Sequence, residues 1–418
     1  MPFLLRICKP LNPSNPVLVP TAYLDIDPDI TSLQWTTTNP GGYGALNVGM
    51  QASLTDSAGP DYVRLQTPVH LPPRAHVELY AGSTKVFEGA VMVLNKNSSG
   101  QADGFIAEGY GTVGTNDDYI ESTEGVFKTS GTILREVLTQ YAPLINFGPS
   151  WNNPLNDPGT LHQKAEFNAL FPADVIDRIL REGGTAIAGQ TSNAGGASGD
   201  TSNGVWDWLV YENRLCTFQP RIPPAGTALD PIDYHIPFDD RITAWVEDYH
   251  KLVGQVGIRY SNLDAGGNST ALTPRYPACG TPLYTLFGNT YGFHRSAVIE
   301  GGKMHARSAI TYATNFIALR AQPSYAVRII RAQQQGMERQ GMVDMPPYLV
   351  RAGEWVQVGD ANDNIVLPIV TTAYDAYSEV LQLDMGDALP HGLNDNRTLH
   401  RIAAHVLRGT NPTTGARI

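Results

Sequence analysis

Three cysteines, Cys8, Cys216 and Cys279, are spread over 418 residues. An odd, widely spaced set builds neither a disulfide framework nor a zinc-ligand pattern, so small buried apolar side chains are the expected role. Charge is also scarce. Only 17% of residues are charged, against a usual ~25%, and the formal net charge is −11. That balance excludes a nonspecific nucleic-acid binder, which needs a basic surface to displace counterions. It suits a channel wall past which DNA slides without adhering. No run of ~18 apolar residues occurs, so no membrane span is expected. Residues 1–10 are too short and too interrupted by proline for a signal peptide, which points to assembly in a reducing cytoplasm. Absent too are H-E-x-x-H, G-x-S-x-G, a Walker A loop and paired C-x-x-C.

What the chain does have is turns and short strands. Gly (41) and Pro (30) are plentiful, and 42% of residues are hydrophobic, with many Val, Thr and Tyr runs. This favours a β-rich α+β protein of several domains. Residues 1–112 read as one β-domain of six or seven short strands. Residues 113–228 read as a small α/β domain, with helices marked by Ile133, Leu134, Val137 and Leu138 and by Val175, Ile176, Ile179 and Leu180. A low-complexity loop at 189–204 interrupts it. Residues 229–300 and 348–390 read as a second β-domain. Residues 301–347 form an insertion carrying the longest clean helix, 303–321, and residues 391–418 a short helix and polar tail. A coarse echo joins the halves: a β-domain ending in a hairpin, with a helical insertion, occurs twice.

Candidate chemistry is thin. Gly109-Tyr-Gly-Thr-Val-Gly114 matches G-x-G-x-x-G and follows a strand, but Asp117 and Asp118 place negative charge where a dinucleotide phosphate would sit. The segments 25–29 and 360–364 resemble calcium loops, but the first has Ile30 and Thr36 where Gly and Glu are needed and the second has Val366 where a further ligand would fall, so both read better as polar turns. Asp117, Asp118, Glu121 and Glu124 could pair carboxylates for glycoside hydrolysis, but their surroundings are polar throughout, so a channel-facing acidic loop is the better reading. Trp206 and Trp208, two apart, share one strand face as a core or interface pair, and Trp355 is a further interface candidate. On the helix, Ala306, Ala309 and Ala313 make a small-residue face, with Ile310, Phe316 and Ile317 beside it. No catalytic residue, cofactor or metal is expected.

The order Leu33-Gln-Trp-Thr-Thr-Thr-Asn-Pro-Gly-Gly-Tyr43, His76-Val-Glu-Leu-Tyr-Ala-Gly-Ser-Thr-Lys-Val-Phe-Glu-Gly89, Gly104-Phe-Ile-Ala-Glu-Gly-Tyr-Gly111, then Val256-Gly-Ile-Arg-Tyr260, the helix, and Leu349-Val-Arg-Ala-Gly-Glu-Trp-Val-Gln-Val358 resembles the baseplate or tail-tip hub proteins of tailed bacteriophages, the minor tail proteins of long-tailed phages among them. The resemblance covers about residues 1–390 and lies in the order of its motifs. It implies two tail-tube-like β-barrels plus small accessory domains, and a homotrimer whose six barrels adapt a sixfold tube to a threefold tip. It also implies a place in the virion, beside the distal tail or tube protein, the tape measure and fibres, with DNA passing through the lumen. A tail-associated cell-wall hydrolase or a host-carbohydrate binder are the alternatives from other functional classes. Under the hub reading the helix packs against the second barrel.

Overall fold

The structure, a computed structural model, describes residues 3–13, 24–26, 30–50, 73–96, 102–148, 161–182, 206–220, 233–236, 242–250, 252–267, 269–320, 324–330, 337–339, 342–360 and 363–386. The loop at 189–204 and the 391–418 tail fall outside these residues, as do residues 27–29 and 361–362 of the two acidic turns.

The first unit is a sheet of seven strands: β1 (Phe3–Cys8), β2 (Leu24–Ile26), β3 (Ile30–Thr38), β4 (Gly41–Met50), β5 (His76–Ala81), β6 (Thr84–Lys96) and β7 (Ala102–Gly109). Their order across the sheet is β2-β1-β5-β6-β7-β4-β3, antiparallel throughout. Alternation sets the inner face: Phe3, Leu5 and Ile7, then Val77 and Leu79, are buried at period two.

An α/β unit follows. It holds α1 (Tyr110–Val113), β8 (Phe127–Thr129), α2 (Ser130–Tyr141), β9 (Asn146–Phe147), β10 (Leu161–Gln163), α3 (Pro172–Glu182), β11 (Trp206–Val210) and β12 (Leu215–Pro220). Pro172 supplies the first residue of α3, where a missing N–H costs nothing, and Asp174 stands in its first turn. Val175, Ile176, Ile179 and Leu180 on α3 and Ile133, Leu134, Val137 and Leu138 on α2 bury against each other and against Trp206, Trp208 and Phe218 in a second core.

The second half begins with β13 (Tyr234–Ile236) and β14 (Ile242–Asp248). A separate three-stranded unit comes next: β15 (Gln255–Asn262), β16 (Thr270–Leu272), α4 (Pro282–Tyr291), β17 (Ser296–Met304) and α5 (Ala306–Arg320), with β15 central. The chain then completes the second large sheet with β18 (Ser324–Ile330), β19 (Met337–Arg339), β20 (Met342–Met345), β21 (Trp355–Asp360), β22 (Asp363–Asp375) and β23 (Val380–Met385). Their pairings run β13-β21-β22-β23-β18-β14, with β19 and β20 beyond β13.

The echo between the halves is a duplication of strand order. The first unit, without β2, runs β1-β5-β6-β7-β4-β3, and the second runs β13-β21-β22-β23-β18-β14. Taking the strands of each run in chain order gives the same permutation. The agreement extends to single residues. β6 bulges from β7 between Val91 and Val93, and β22 bulges from β23 between Ile369 and Thr371. β3 bulges from β4 between Ile30 and Ser32, and β14 from β18 between Ile242 and Ala244. The amide of Val91 donates to Ala75 and its carbonyl accepts from Arg74; Ile369 makes the same pair of bonds with Glu354 and Gly353. A bulge is a specific local device, and its recurrence at equivalent sites in two strand pairs is a strong mark of common geometry. The units differ in their first strand, β1 being antiparallel to β5 and β13 parallel to β21, and in the shifts at Trp35/Thr37, Leu79/Tyr80 and Asn95/Lys96, which the matching pairs of the second unit lack.

The two sheets are continuous. β3 lies along β22, with Thr38 opposite Thr371, Trp35 opposite Tyr374 and Gln34 opposite Asp375. Residues from both units, including Leu5, Trp35, Leu79, Phe105, Tyr234, Val356, Ile369 and Leu383, form one apolar cluster. Among the described residues the ladders form an open series, and none closes either unit into a barrel. Trp35 sits where the halves meet, with its ring centroid 5.4 Å from Phe3 and 4.8 Å from Tyr374. Trp35→Ala should therefore cost about 3–5 kcal/mol. Both halves should lose stability together, read as a single shifted transition in urea denaturation followed by limited proteolysis; loosening of the first half alone would contradict the shared core.

Candidate functional site

Two polar constellations stand out from this apolar frame. The first is the β3–β22 junction. The threonine run of β3 is buried, and its hydroxyls are used. Thr37 Oγ1 and Thr372 Oγ1 are 2.7 Å apart, and the Ala352 amide donates to Thr37 Oγ1 at 2.8 Å. The Ala45 amide donates to Thr36 Oγ1, and the Thr38 hydroxyl donates to the Pro40 carbonyl. At the end of the strand the Asn39 amide donates to the carbonyl of the bulged residue Val370, and the Asn39 side chain donates to Asp207 Oδ1 at 2.7 Å. Asp207 lies between Trp206 and Trp208 on β11, so this bond fastens the α/β unit to the same corner. Gln34 donates to Asp375 across the ladder. Buried hydroxyls satisfied in this way fix register without leaving a desolvated group unpaired.

The second constellation is a buried charge network. Alternation on β5 points His76 and Glu78 to one face, and the register brings Glu88 of β6 opposite Glu78. Lys85 Nζ donates to Glu78 Oε1 at 2.5 Å and to Glu88 Oε2 at 3.0 Å. His76 Nε2 lies 3.5 Å from Glu78, and its Nδ1 is 2.8 Å from the Tyr110 hydroxyl. Glu88 also accepts from the Asn213 amide at 2.6 Å and lies 3.8 Å from Arg214 Nη1. Asn213 and Arg214 follow β11, so the network ties the first sheet to the α/β unit. One donor atom from each of His76, Glu78 and Glu88 falls within 4.8 Å of the others, a group of metal-ligand type. The cation that both carboxylates face is Lys85, so the group is an internal ion network.

Burial raises the Glu78 carboxyl, but hydrogen bonds from His76 and Lys85 and the Lys85 charge outweigh it and bring it down to about 2. Burial lowers Lys85, yet its two glutamates leave it raised. Burial, then Glu78 and Glu88, push the nearby Cys8 thiol up to about 12, which makes it unreactive. The sign for Glu78 is that of a depressed carboxylate. Its contribution is present above the unfolded value near pH 4.5 and is lost as pH falls through about 2.

The residues singled out from sequence are distributed as follows. Trp206 and Trp208 are buried in the second core, and Trp206 packs on Phe218 at 4.9 Å. Trp355 is half-buried at the start of β21, its amide donating to Asp233. Ala309 and Ala313 are buried and Ala306 is partly so. They face Val256, Ile258 and Tyr260 of the three-stranded unit. The segment 252–300, grouped above with the second β-domain, thus carries its own small sheet, and α5 packs there. Ile310 points away from this core and is exposed. Of the acidic loop, Asp117 pairs with Arg74 at 2.7 Å and Glu124 with Lys128 at 2.6 Å. Asp118 and Glu121 are exposed, and Glu121 accepts from the Tyr119 hydroxyl. The four carboxylates do not converge. The glycines of Gly109–Gly114 have a packing reason. A Cβ on Gly109 would stand 1.9 Å from the Tyr43 carbonyl oxygen, and one on Gly111 2.0 Å from that of Gly41. Helix α1, capped by Gly109 and Gly114, is only four residues long.

Sequence reasoning missed the charge network. The signal was there: His76, Glu78, Lys85 and Glu88 interrupt two otherwise apolar strands, and charge at period two on a strand bound for the core demands partners.

The fold made by the duplicated sheet and its two α/β units is similar to that of solved phage tail proteins. The chain is similar to a 43 kDa tail protein of prophage MuSo2 from Shewanella oneidensis, with a TM-score of 0.56, 10% identity, and coverage of 93% of this chain and 99% of that one. It is also similar to prophage tail protein gp18 from Listeria monocytogenes EGD-e (TM-score 0.52, 11% identity, 97% and 100% covered) and to the tail protein from Neisseria meningitidis MC58 (0.53, 8%, 94% and 99%). At such identities the likeness is one of fold. No family model and no curated protein matches the sequence.

Three substitutions test these assignments. Ala309→Phe should overpack the α5–β15 contact and cost about 1–3 kcal/mol; hydrogen exchange should show loosening confined to residues 252–320, and loosening of the large sheets would place the helix elsewhere. Lys85→Met leaves two buried carboxylates without their cation and should cost about 3–5 kcal/mol at pH 7. Glu78→Gln should remove a pH-dependent contribution of about 3 kcal/mol, so that acid denaturation between pH 4.5 and 2 is shallower than in the parent chain; an unchanged slope would exclude Glu78 as the titrating group.

Proposed function

We propose that this chain is a structural hub protein of a phage tail tip, assembled in the host cytoplasm and carried in the virion. The observation that carries the reading is the duplication: two units of one strand order, sharing bulge positions, in a chain with the tail-protein fold. Three copies of such a chain present six similar units around an axis, which lets a threefold assembly dock onto a sixfold tube. Each unit would be one tube-like barrel of that ring. The helical units stand outside the duplicated sheets, as accessory domains for contact with the distal tail or tube protein, the tape measure and fibres. An acidic balance and exposed carboxylates such as Asp118 and Glu121 suit a lumen that DNA traverses without binding. The role asked of the chain is mechanical and needs no cofactor. Charge-network and junction residues serve rigidity, which a conduit requires.

The test is direct. Purified particles should contain the chain in three copies per tail, and cryo-EM should show its duplicated sheets continuing a sixfold tube. A chain found only free in infected lysate, never in particles, would end the proposal.

A further inference from the structure

The junction inside the chain is also a template for a contact between chains. β3 lies against the second half of one edge of β22, residues 371–375, while β21 covers residues 363–368 of that same edge. The duplication relates β3 to β14 and β22 to β6. β5 covers residues 84–90 of the corresponding edge of β6. Beyond the bulge, among the described residues, no strand lies along that edge of β6, and the large apolar side chains Met92 and Val93 there are 42% and 46% exposed. β14 in turn pairs with β18 alone among the described strands, with Val246 on it 54% exposed and Tyr249, just past its end, 49% exposed. An apolar edge of this kind is a place for strand addition.

From these edges we infer that β14 of one copy adds to the open half of β6 in a second copy, in the register that β3 keeps with β22. The duplicated geometry sets the pairing. Thr36 opposite Ala373 becomes Asp248 opposite Asn95, and Trp35 opposite Tyr374 becomes Glu247 opposite Lys96. The carbonyl of the bulged Met92 takes the place that the Val370 carbonyl holds for Asn39. The occupant is a second copy of this chain, because the two edges are unlike, both belong to this sequence, and their counterparts already fit each other within it. Such a contact is heterologous, head to tail, and repeats around a ring. The inference rests on the hub reading for the closure of that ring, and on the duplication alone for the pairing.

The experiment uses the full-length chain with exposed Cys279 replaced by Ser. Asp248→Cys and Asn95→Cys take the positions equivalent to Thr36 and Ala373, which face each other across the ladder. Chains carrying one substitution each are mixed, allowed to associate and oxidised. The expected result is a disulfide-linked dimer from the mixture and none from either chain alone. Because a cysteine could disturb the strand, hydrogen exchange of the parent chain is read in parallel: amides of residues 91–96 and 244–248 should gain at least tenfold protection on association. Val93→Glu should weaken association at least tenfold and leave the thermal midpoint of the separated chain unchanged. A chain that stays monomeric, an associated species in which the pair does not link, or a link formed within one double-substituted chain overturns the pairing. If the chain is nevertheless found in particles, the hub reading survives without this interface; if it is absent from particles while the pairing forms, the reverse holds.

Discussion

The constraint on which the rest of the structure depends is the pairing of β3 with β22. Without it the chain is two sheets with two half-built cores. With it, Trp35, Phe3, Tyr348 and Tyr374 meet as one aromatic group, and apolar residues of both units enter a common cluster. The junction is held by backbone ladder bonds and satisfied threonine hydroxyls. Apolar pressure alone tolerates a slip by two residues, because alternation is preserved. The specific bonds of Thr37, Gln34 and Asn39 do not.

Around that junction the polar groups do a different job from the apolar ones. Burial of Leu5, Leu79, Phe105 and Leu383 drives association of the sheets but says little about orientation. Lys85, Glu78 and Glu88, reached by Asn213 from the α/β unit, act as a peg. Their net worth over an apolar replacement is small, whereas loss of one partner is costly. The same asymmetry applies to Asn39 and Asp207. The α/β unit is thus attached to the first sheet by these two polar contacts and by the parallel pairing of β11 with β4 at Gly41 and Gly42, beside the backbone approach that Gly109 and Gly111 allow.

Much of the first sheet was legible in the sequence because its strands alternate and its turns carry Gly and Pro: β3, β5, β6 and β7 follow from residues such as Leu33, Trp35, Val77, Leu79, Phe87 and Phe105. The faces of α2 and α3 were legible for the same reason at helical period. Ile310 was not, since on α5 the buried stripe runs through Ala309, Tyr312, Ala313, Phe316 and Ile317, and a neighbouring Ile looks the same to a period count. The charge network was illegible because period and composition do not say which strands become neighbours. Glu88 meets Asn213 only because residues far apart in the chain are folded together. The halves could be suspected of kinship from their order of elements, but their agreement in register could not be read from residue types.

That agreement has a consequence for how such a chain drifts. At matched positions of the bulged strands stand Met92 and Val370, Val93 and Thr371, Leu94 and Thr372, Asn95 and Ala373. Little of the chemistry is retained, yet the extra residue falls at the same step. What the two halves hold in common is therefore a count of residues between backbone contacts, and substitution is cheap while insertion or deletion is not. A single-residue deletion at Met92 or Thr243 would remove the extra residue and straighten the strand while the flanking pairs keep their partners, whereas a deletion at a paired position would turn every following side chain to the wrong face, a heavier change than any replacement there. Kinship in such a protein is recorded in spacing, and lettering is free to fade.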